Sequence, residues 1–346
     1  MLRGIYTLAN DAVYDQLVAL LNSIEANYSK DIPVCVIPYD ENIGRISEEI
    51  KSRPNVTLFQ DRAAIAKWEQ FAQDAWNLSP RTYNLKPNTS DLEPAKWGRH
   101  KFSVHRKFCC FDGPFEKFIF LDADTLVMKP LDFIFEQLDR SEFVVHDYQH
   151  KDASHVFNVK SPRLYQVFSK DRINAGIFCT GFFASKRGLF DDARCRLALS
   201  GLKNGEAEIL YPKCAEQSLL NYMVMKSNVN IYNFALSLPR EERTGDSVTS
   251  THFEDRKHIL YDKGNRLTYL HYIGITSDPF RRLCGGKNID FPYRDIFLHY
   301  RYLNESGRKP RLKGRKIPYN AKPGIFRRVF KRIKRILLRL INARGD

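Results

Sequence analysis

The stretch from Lys117 to Leu131, KFIFLDADTLVMKPL, constrains the fold more than any other part of the chain. Four consecutive apolar residues, Phe118 to Leu121, have the composition of a strand buried on both faces, as in sheets covered by helices on each side. The run stops at two carboxylates, Asp122 and Asp124, with one small residue, Ala123, between them. In open α/β sheets, ligands collect beyond the carboxyl ends of the strands, which is where these acids fall. Two hard oxygen ligands there can hold a divalent cation, and such a cation can clamp a diphosphate. Capping of the next turn is the competing reading of a bare Asp-x-Asp. The buried strand before the pair, and Pro130 and Leu131 closing the loop after it, favour a site.

The neighbouring segments repeat the alternation of strand and helix. Gly4 to Leu8 reads as a first strand, Ala9 to Asp11 as a loop, and Asp11 as the cap of a helix from Ala12 to about Ala26. Apolar residues at Val13, Leu17, Leu20, Leu21 and Ile24 follow the helical period. Ile32 to Ile37 and Asn55 to Phe59 read as two more strands. The pattern predicts an α/β fold with a doubly wound, mainly parallel mixed sheet. Residues 60–103 form a less regular insertion with all three tryptophans, Trp68, Trp76 and Trp97. Ala63 to Trp76 is predicted helical, and Pro80, Pro87 and Pro94 break regular structure after it. These aromatics either line an acceptor groove or pack the insertion. Arg99 to Phe111 reads as a helix carrying Lys107, Leu131 to Leu138 as another, and Phe143 to His146 as a strand.

Three later positions carry chemistry. Asn174-Ala175-Gly176, between apolar stretches, suits either a simple turn or a bend where an amide approaches a ligand. Glu216 and Gln217 open a helix over Ser218 to Met225, where polar contacts at a first turn are ordinary. Leu267 to Gly274 is predicted to be a strand carrying His271. A lone histidine on an apolar strand is commonly a satisfied core residue. This one gains interest because the carboxylate pair lacks a third ligand, and mixed oxygen and imidazole ligation suits Mn²⁺ better than Mg²⁺.

The net charge of +15 is unevenly placed. Residues 307–346 hold 15 of the 55 Lys and Arg and a single acid, Asp346, leaving 40 basic and 39 acidic residues in 1–306. A neutral body argues against a body-wide nucleic-acid surface, so no nucleic-acid partner is expected. In the tail, Phe326, Val329, Phe330, Ile333, Ile336, Leu337, Leu340 and Ile341 form one helical stripe within Ile325 to Ile341. Arg327, Arg328, Lys331, Arg332, Lys334, Arg335 and Arg339 occupy the other face. This amphipathic segment suits a helix lying on an anionic membrane surface, with packing on the body or on a partner as the competing reading. No run reaches the length of a membrane span, and a strand at Leu2 to Leu8 argues against a signal peptide. Seven cysteines without metal-like spacing fit a reducing, cytoplasmic setting.

Together these motifs, in this order, resemble the glycogenin-like retaining glycosyltransferases of family 8, which have the GT-A fold. The resemblance spans roughly Leu2 to Arg282. It implies a metal-dependent sugar transfer from a nucleotide-sugar donor, a UDP-sugar, to a glycan or glycolipid acceptor, with retention of anomeric configuration. It implies further that Thr7, Leu8 and Asn10 hold the uridine, that Tyr14 stacks on the base, and that Asp122, Asp124 and His271 bind the metal beside Ala123 and Gly274. Lys107 would lie near the donor phosphates and sugar, Asn174 beside the donor sugar, Glu216 on its hydroxyls, and Gln217 on the reacting face. The chain departs from the family at Ser277-Asp278-Pro279-Phe280, where a Lys-Pro-aromatic would supply a diphosphate-binding lysine. Arg281 or Arg282 is a candidate replacement. Glu216 replaces an aspartate, and Lys213 stands where the family often has an acid. Two other functions remain open: a nucleotidyltransferase, disfavoured because Thr7 to Asp11 has neither glycine nor base, and a membrane-tethered nucleotide-sugar-binding protein without turnover.

Overall fold

The computed structural model describes residues 2–78, 99–148, 151–211 and 215–321. Trp97, the three prolines of the insertion, Lys213 and the amphipathic segment Ile325 to Ile341 lie outside the described residues. Strands β1 (Arg3–Ala9), β2 (Val34–Pro38), β3 (Val56–Leu58) and β4 (Lys117–Leu121) run parallel. After the short β5 (Thr125–Val127) come β6 (Phe143–Val145), β7 (Phe182–Lys186) and β8 (Ile231–Asn233). The seven-stranded sheet has the order β3-β2-β1-β4-β7-β6-β8, in which β7 runs against its neighbours β4 and β6. The order reverses between β1 and β4, which opens a crevice at their carboxyl ends.

The apolar run of β4 is explained by its surroundings. Phe118 and Phe120 face a core with Trp68, Phe108, Phe111 and Phe183. Ile119 and Leu121 face a second core with Leu17, Leu20 and Ile24 of the helix Tyr14–Asn27. All four are fully buried, and each such side chain contributes on the order of 1.5–3 kcal/mol of transfer free energy. Trp68 is packing: it is fully buried and its Nε1 donates to Asp112 Oδ2 at 2.7 Å.

Beyond the sheet, a meander of β9 (Glu254–Arg256), β10 (Ile259–Asp262) and β11 (Asn265–Arg266) leads into β12 (Tyr269–His271). Strand β12 pairs antiparallel with β5, so that His271 lies opposite Thr125. A third core, with Leu126, Tyr272, Phe280 and Phe297, packs the helices Ser277–Cys284 and Arg294–Arg301 beneath this ladder. Strand β13 (Lys287–Asp290) pairs with β14 (Lys313–Pro318), so residues that belong to the basic tail by charge lie against the body. No described helix is long and apolar enough to cross a membrane.

Two local expectations change. Arg99–Phe111 forms 3-10 turns instead of an α-helix. Asp11 does not cap the helix immediately after it. Asn10 caps the short 3-10 turn Asp11–Val13 by accepting from the Ala12 amide. Asp11 instead accepts from the amides of Arg45 and Ile46, both at 3.0 Å, and so caps the helix Gly44–Lys51. A capping carboxylate serves whichever uncapped amides the tertiary fold brings within reach.

Candidate functional site

The crevice between β1 and β4 is a cavity of about 400 Å³. Leu8, Ala9 and Asn10 reach it from the end of β1, and Asp122, Ala123 and Asp124 from the end of β4. The acidic turn is tied down by its own backbone. The Asp122 amide donates to Gly181 O at 2.9 Å, Thr125 Oγ1 donates to Asp122 O at 2.7 Å, and the Tyr272 amide donates to Asp124 O at 3.0 Å. That last bond extends the β5–β12 ladder and brings His271 to the carboxylates. The ligand atoms of Asp122, Asp124 and His271 all lie within 4.8 Å of one another, which suits a single divalent cation.

The charges around the cluster are paired. His271 Nε2 lies 3.3 Å from Asp124 Oδ1. Lys107 Nζ, buried, lies 3.3 Å from Asp122 Oδ1 and 3.4 Å from Glu216 Oε1. Thr180 Oγ1 donates to the same Glu216 oxygen at 3.1 Å. Burial alone would lower the pKa of Lys107, but the carboxylates of Asp122 and Glu216 outweigh it and raise it, so the ammonium stays charged. Burial raises Asp122, and Lys107 offsets this only in part. Burial also opposes ionisation of Asp124 and Glu216; His271 overcomes it at the first, and Lys107 with His105 and Thr180 at the second, so both are lowered. The same Asp124 contact outweighs burial at His271 and raises its pKa well above the usual range.

Several of these neighbours gave no motif in the sequence. The His271 amide donates to Asp246 O at 2.7 Å, and Tyr269 Oη donates to Asp246 Oδ2 at 3.2 Å. Burial pushes the Asp246 carboxyl up to about 6. The turn Cys179-Thr180-Gly181 supports both acids: Gly181 accepts from Asp122, and Thr180 holds Glu216. A Cβ on Gly181 would run into the His271 ring, so a side chain there excludes the histidine's present position.

The structure separates the remaining sequence expectations. Asn174 is exposed on the helix Lys170–Gly176 and does not line the cavity. Gln217 is a brace: its Nε2 donates to His155 O at 2.9 Å and its Oε1 accepts from the Thr180 amide at 3.3 Å. Thr7 is fully buried in β1, and its hydroxyl has no partner among the described residues. Tyr14 turns away from the cavity. Its hydroxyl donates to Glu49 Oε2 at 2.9 Å, and its ring lies under the guanidinium groups of Arg45 and Arg301. Val13 and Tyr39 line the cavity instead. Asn10 lines it too, with its amide donating to Asp40 Oδ2 at 2.8 Å. Gly274, at φ +80°, makes the turn after His271 without lining the cavity. Arg281 and Arg282 both pair with Asp278, at 2.7 and 3.7 Å, outside the cavity lining.

No family model matches the chain, and no curated protein matches it in sequence. Among solved structures it is similar to the ligand-free bifunctional glycosyltransferase WbbM, at 13% identity and a TM-score of 0.50, over 89% of this chain and 51% of that one. The chain therefore spans about half the length of WbbM. It is also similar to the galactosyltransferase LgtC in complex with donor and acceptor sugar analogues. There the identity is 11% and the TM-score 0.51, over 88% of this chain and 99% of that one. The mixed, mainly parallel sheet is that of the GT-A glycosyltransferase fold.

Proposed function

We propose that this chain is a metal-dependent glycosyltransferase that moves a sugar from a nucleotide-sugar, with UDP as the nucleotide, to a glycan or glycolipid acceptor with retention of configuration. A fold alone does not specify a reaction. The observation that carries the reading is the Asp122, Asp124 and His271 cluster, whose two carboxylates line one cavity with the Lys107–Glu216 pair at the β1–β4 switch point. A bound divalent cation, Mn²⁺ before Mg²⁺ on this donor set, supplies Lewis-acid stabilisation of a leaving diphosphate. Asp122, Asp124 and His271 would hold it. Lys107 contributes a charge that needs no reorganisation, because its carboxylate partners already fix it. Glu216, kept ionised by Lys107 and Thr180 at the cavity wall, is the residue for the donor sugar's hydroxyls. The reacting groups are thereby held in one crevice.

A panel of nucleotide-sugars tested for metal-dependent hydrolysis and thermal stabilisation checks this reading. Asp124→Asn is expected to lower turnover about 10³-fold with the fold intact by circular dichroism. Equal affinity for UDP with and without Mn²⁺, by calorimetry, would overturn the bridging role of the cluster.

For the acceptor, the reading draws on the amphipathic segment Ile325 to Ile341. Seven bases near an anionic leaflet contribute on the order of 1 kcal/mol each, enough for reversible docking of the chain at the cytoplasmic face of a membrane. Full-length protein is expected to float with anionic liposomes at low salt, and protein ending at Asn320 to remain behind. Equal flotation of the two removes the tail as anchor.

A further inference from the structure

Among the described residues, three carboxylates, Asp122, Asp124 and Glu216, line the cavity with a single ammonium, Lys107, which two of them already engage. The two arginines that follow the His271 turn, Arg281 and Arg282, are held by Asp278. A diphosphate entering the cavity thus meets few side-chain cations. Three further residues line it: Gln16, Ile275 and Ser277. Gln16, on the helix Tyr14–Asn27, is only 4% exposed, and its carboxamide has no hydrogen-bond partner among the described residues. A carboxamide that lines a cavity and has no protein partner is free to donate to an acceptor on a ligand there. Ser277 opens the eight-residue helix Ser277–Cys284, whose N-cap residue, Thr276, makes no capping bond. Pro279 has no N–H, so the amides of Ser277 and Asp278 form the positive end of the helix. Asp278 does not cancel it, because its carboxylate is neutralised by Arg281 and Arg282.

We propose that Gln16, Ser277 and the first-turn amides of the helix Ser277–Cys284 form an uncharged cradle for the diphosphate of the donor. The inference rests on the nucleotide-sugar reading and assigns a task to residues that carry no charge. Helix amides and a carboxamide donate directed hydrogen bonds to phosphate oxygens without adding a cation. Affinity through such a cradle depends less on ionic strength than affinity through a lysine.

Calorimetry with Mn²⁺ and UDP, and in parallel with Mn²⁺ and uridine, tests this assignment. Gln16→Met keeps the side chain's length and removes its donor; it is expected to weaken Mn²⁺–UDP binding about 10-fold and to leave uridine binding unchanged. Ser277→Ala, at a less buried position, is expected to weaken Mn²⁺–UDP binding about threefold. Wild-type affinity in both variants overturns the cradle while leaving the nucleotide-sugar reading standing. An equal loss of uridine binding also overturns it, because Gln16 would then serve the nucleoside. Failure of the wild-type protein to bind Mn²⁺–UDP removes the nucleotide reading and the cradle together.

Discussion

The two ends of the cavity are built on different terms. At the metal end, Lys107, Asp122, Asp124, Glu216 and His271 are packed as charges, and each has its counter-charge within 3.4 Å. Their backbones are tied by the Gly181 and Tyr272 bonds and by the β5–β12 ladder. At the other end, Asn10 spends both ends of its amide within the protein, on Asp40 and on the Ala12 N–H, while Leu8, Val13 and Tyr39 complete the wall. The first end is fixed charge by charge through its pairs and backbone bonds. The Asn10 end is a finished turn that offers shape and apolar surface. Damage at the first should therefore release uncompensated charge, and damage at the second should cost only a cap.

The largest difference is expected at Lys107. Lys107→Met leaves Asp122 and Glu216 facing each other without their common cation, and breaking a buried pair of this kind costs about 3 kcal/mol. Chemical denaturation of the metal-free protein measures it. A loss below about 1 kcal/mol would mean that solvent in the cavity already screens these acids, and the contrast would collapse. A smaller effect is expected at Gly181→Ala, where the new Cβ forces the His271 ring from its place. Metal affinity should fall roughly 10- to 100-fold, as when support behind a ligand is lost, with secondary structure intact by circular dichroism. Unchanged Mn²⁺ affinity would show that His271 can ligate from another position. The smallest effect belongs to the Asn10 end. Asn10→Ala removes the Ala12 cap and the Asp40 bond, at about 1 kcal/mol by thermal unfolding, and metal binding should not change. A fall in metal affinity there would show that the two ends are coupled.

The pattern of Phe118 to Leu121 and then Asp122 and Asp124 determined a doubly buried strand, a covered sheet and an acidic turn at its carboxyl end, because burial on both faces and the abrupt change to charge are local properties of the chain. The alternation of segments likewise announced the parallel sheet. Local pattern failed wherever a polar residue had several partners to choose from. Tyr14 and Val13 are adjacent, yet Val13 reaches the cavity and Tyr14 turns to Glu49 and Arg45, whose positions depend on where the helix Gly44–Lys51 packs. Asn174-Ala175-Gly176 reads as a bend between apolar stretches, but the turn that supports the acids is a second one, Cys179-Thr180-Gly181. Only the pairing of β7 with β4 decides that the second one meets the acids. Asp246 and Gln16 carry no motif at all; the first becomes part of the site through the backbone of His271, the second through the cavity between two helices. Identity, spacing and hydrophobic period are written along the chain. Which buried polar group finds which partner is set by contacts between residues far apart in sequence, and these exist only once the layers have packed.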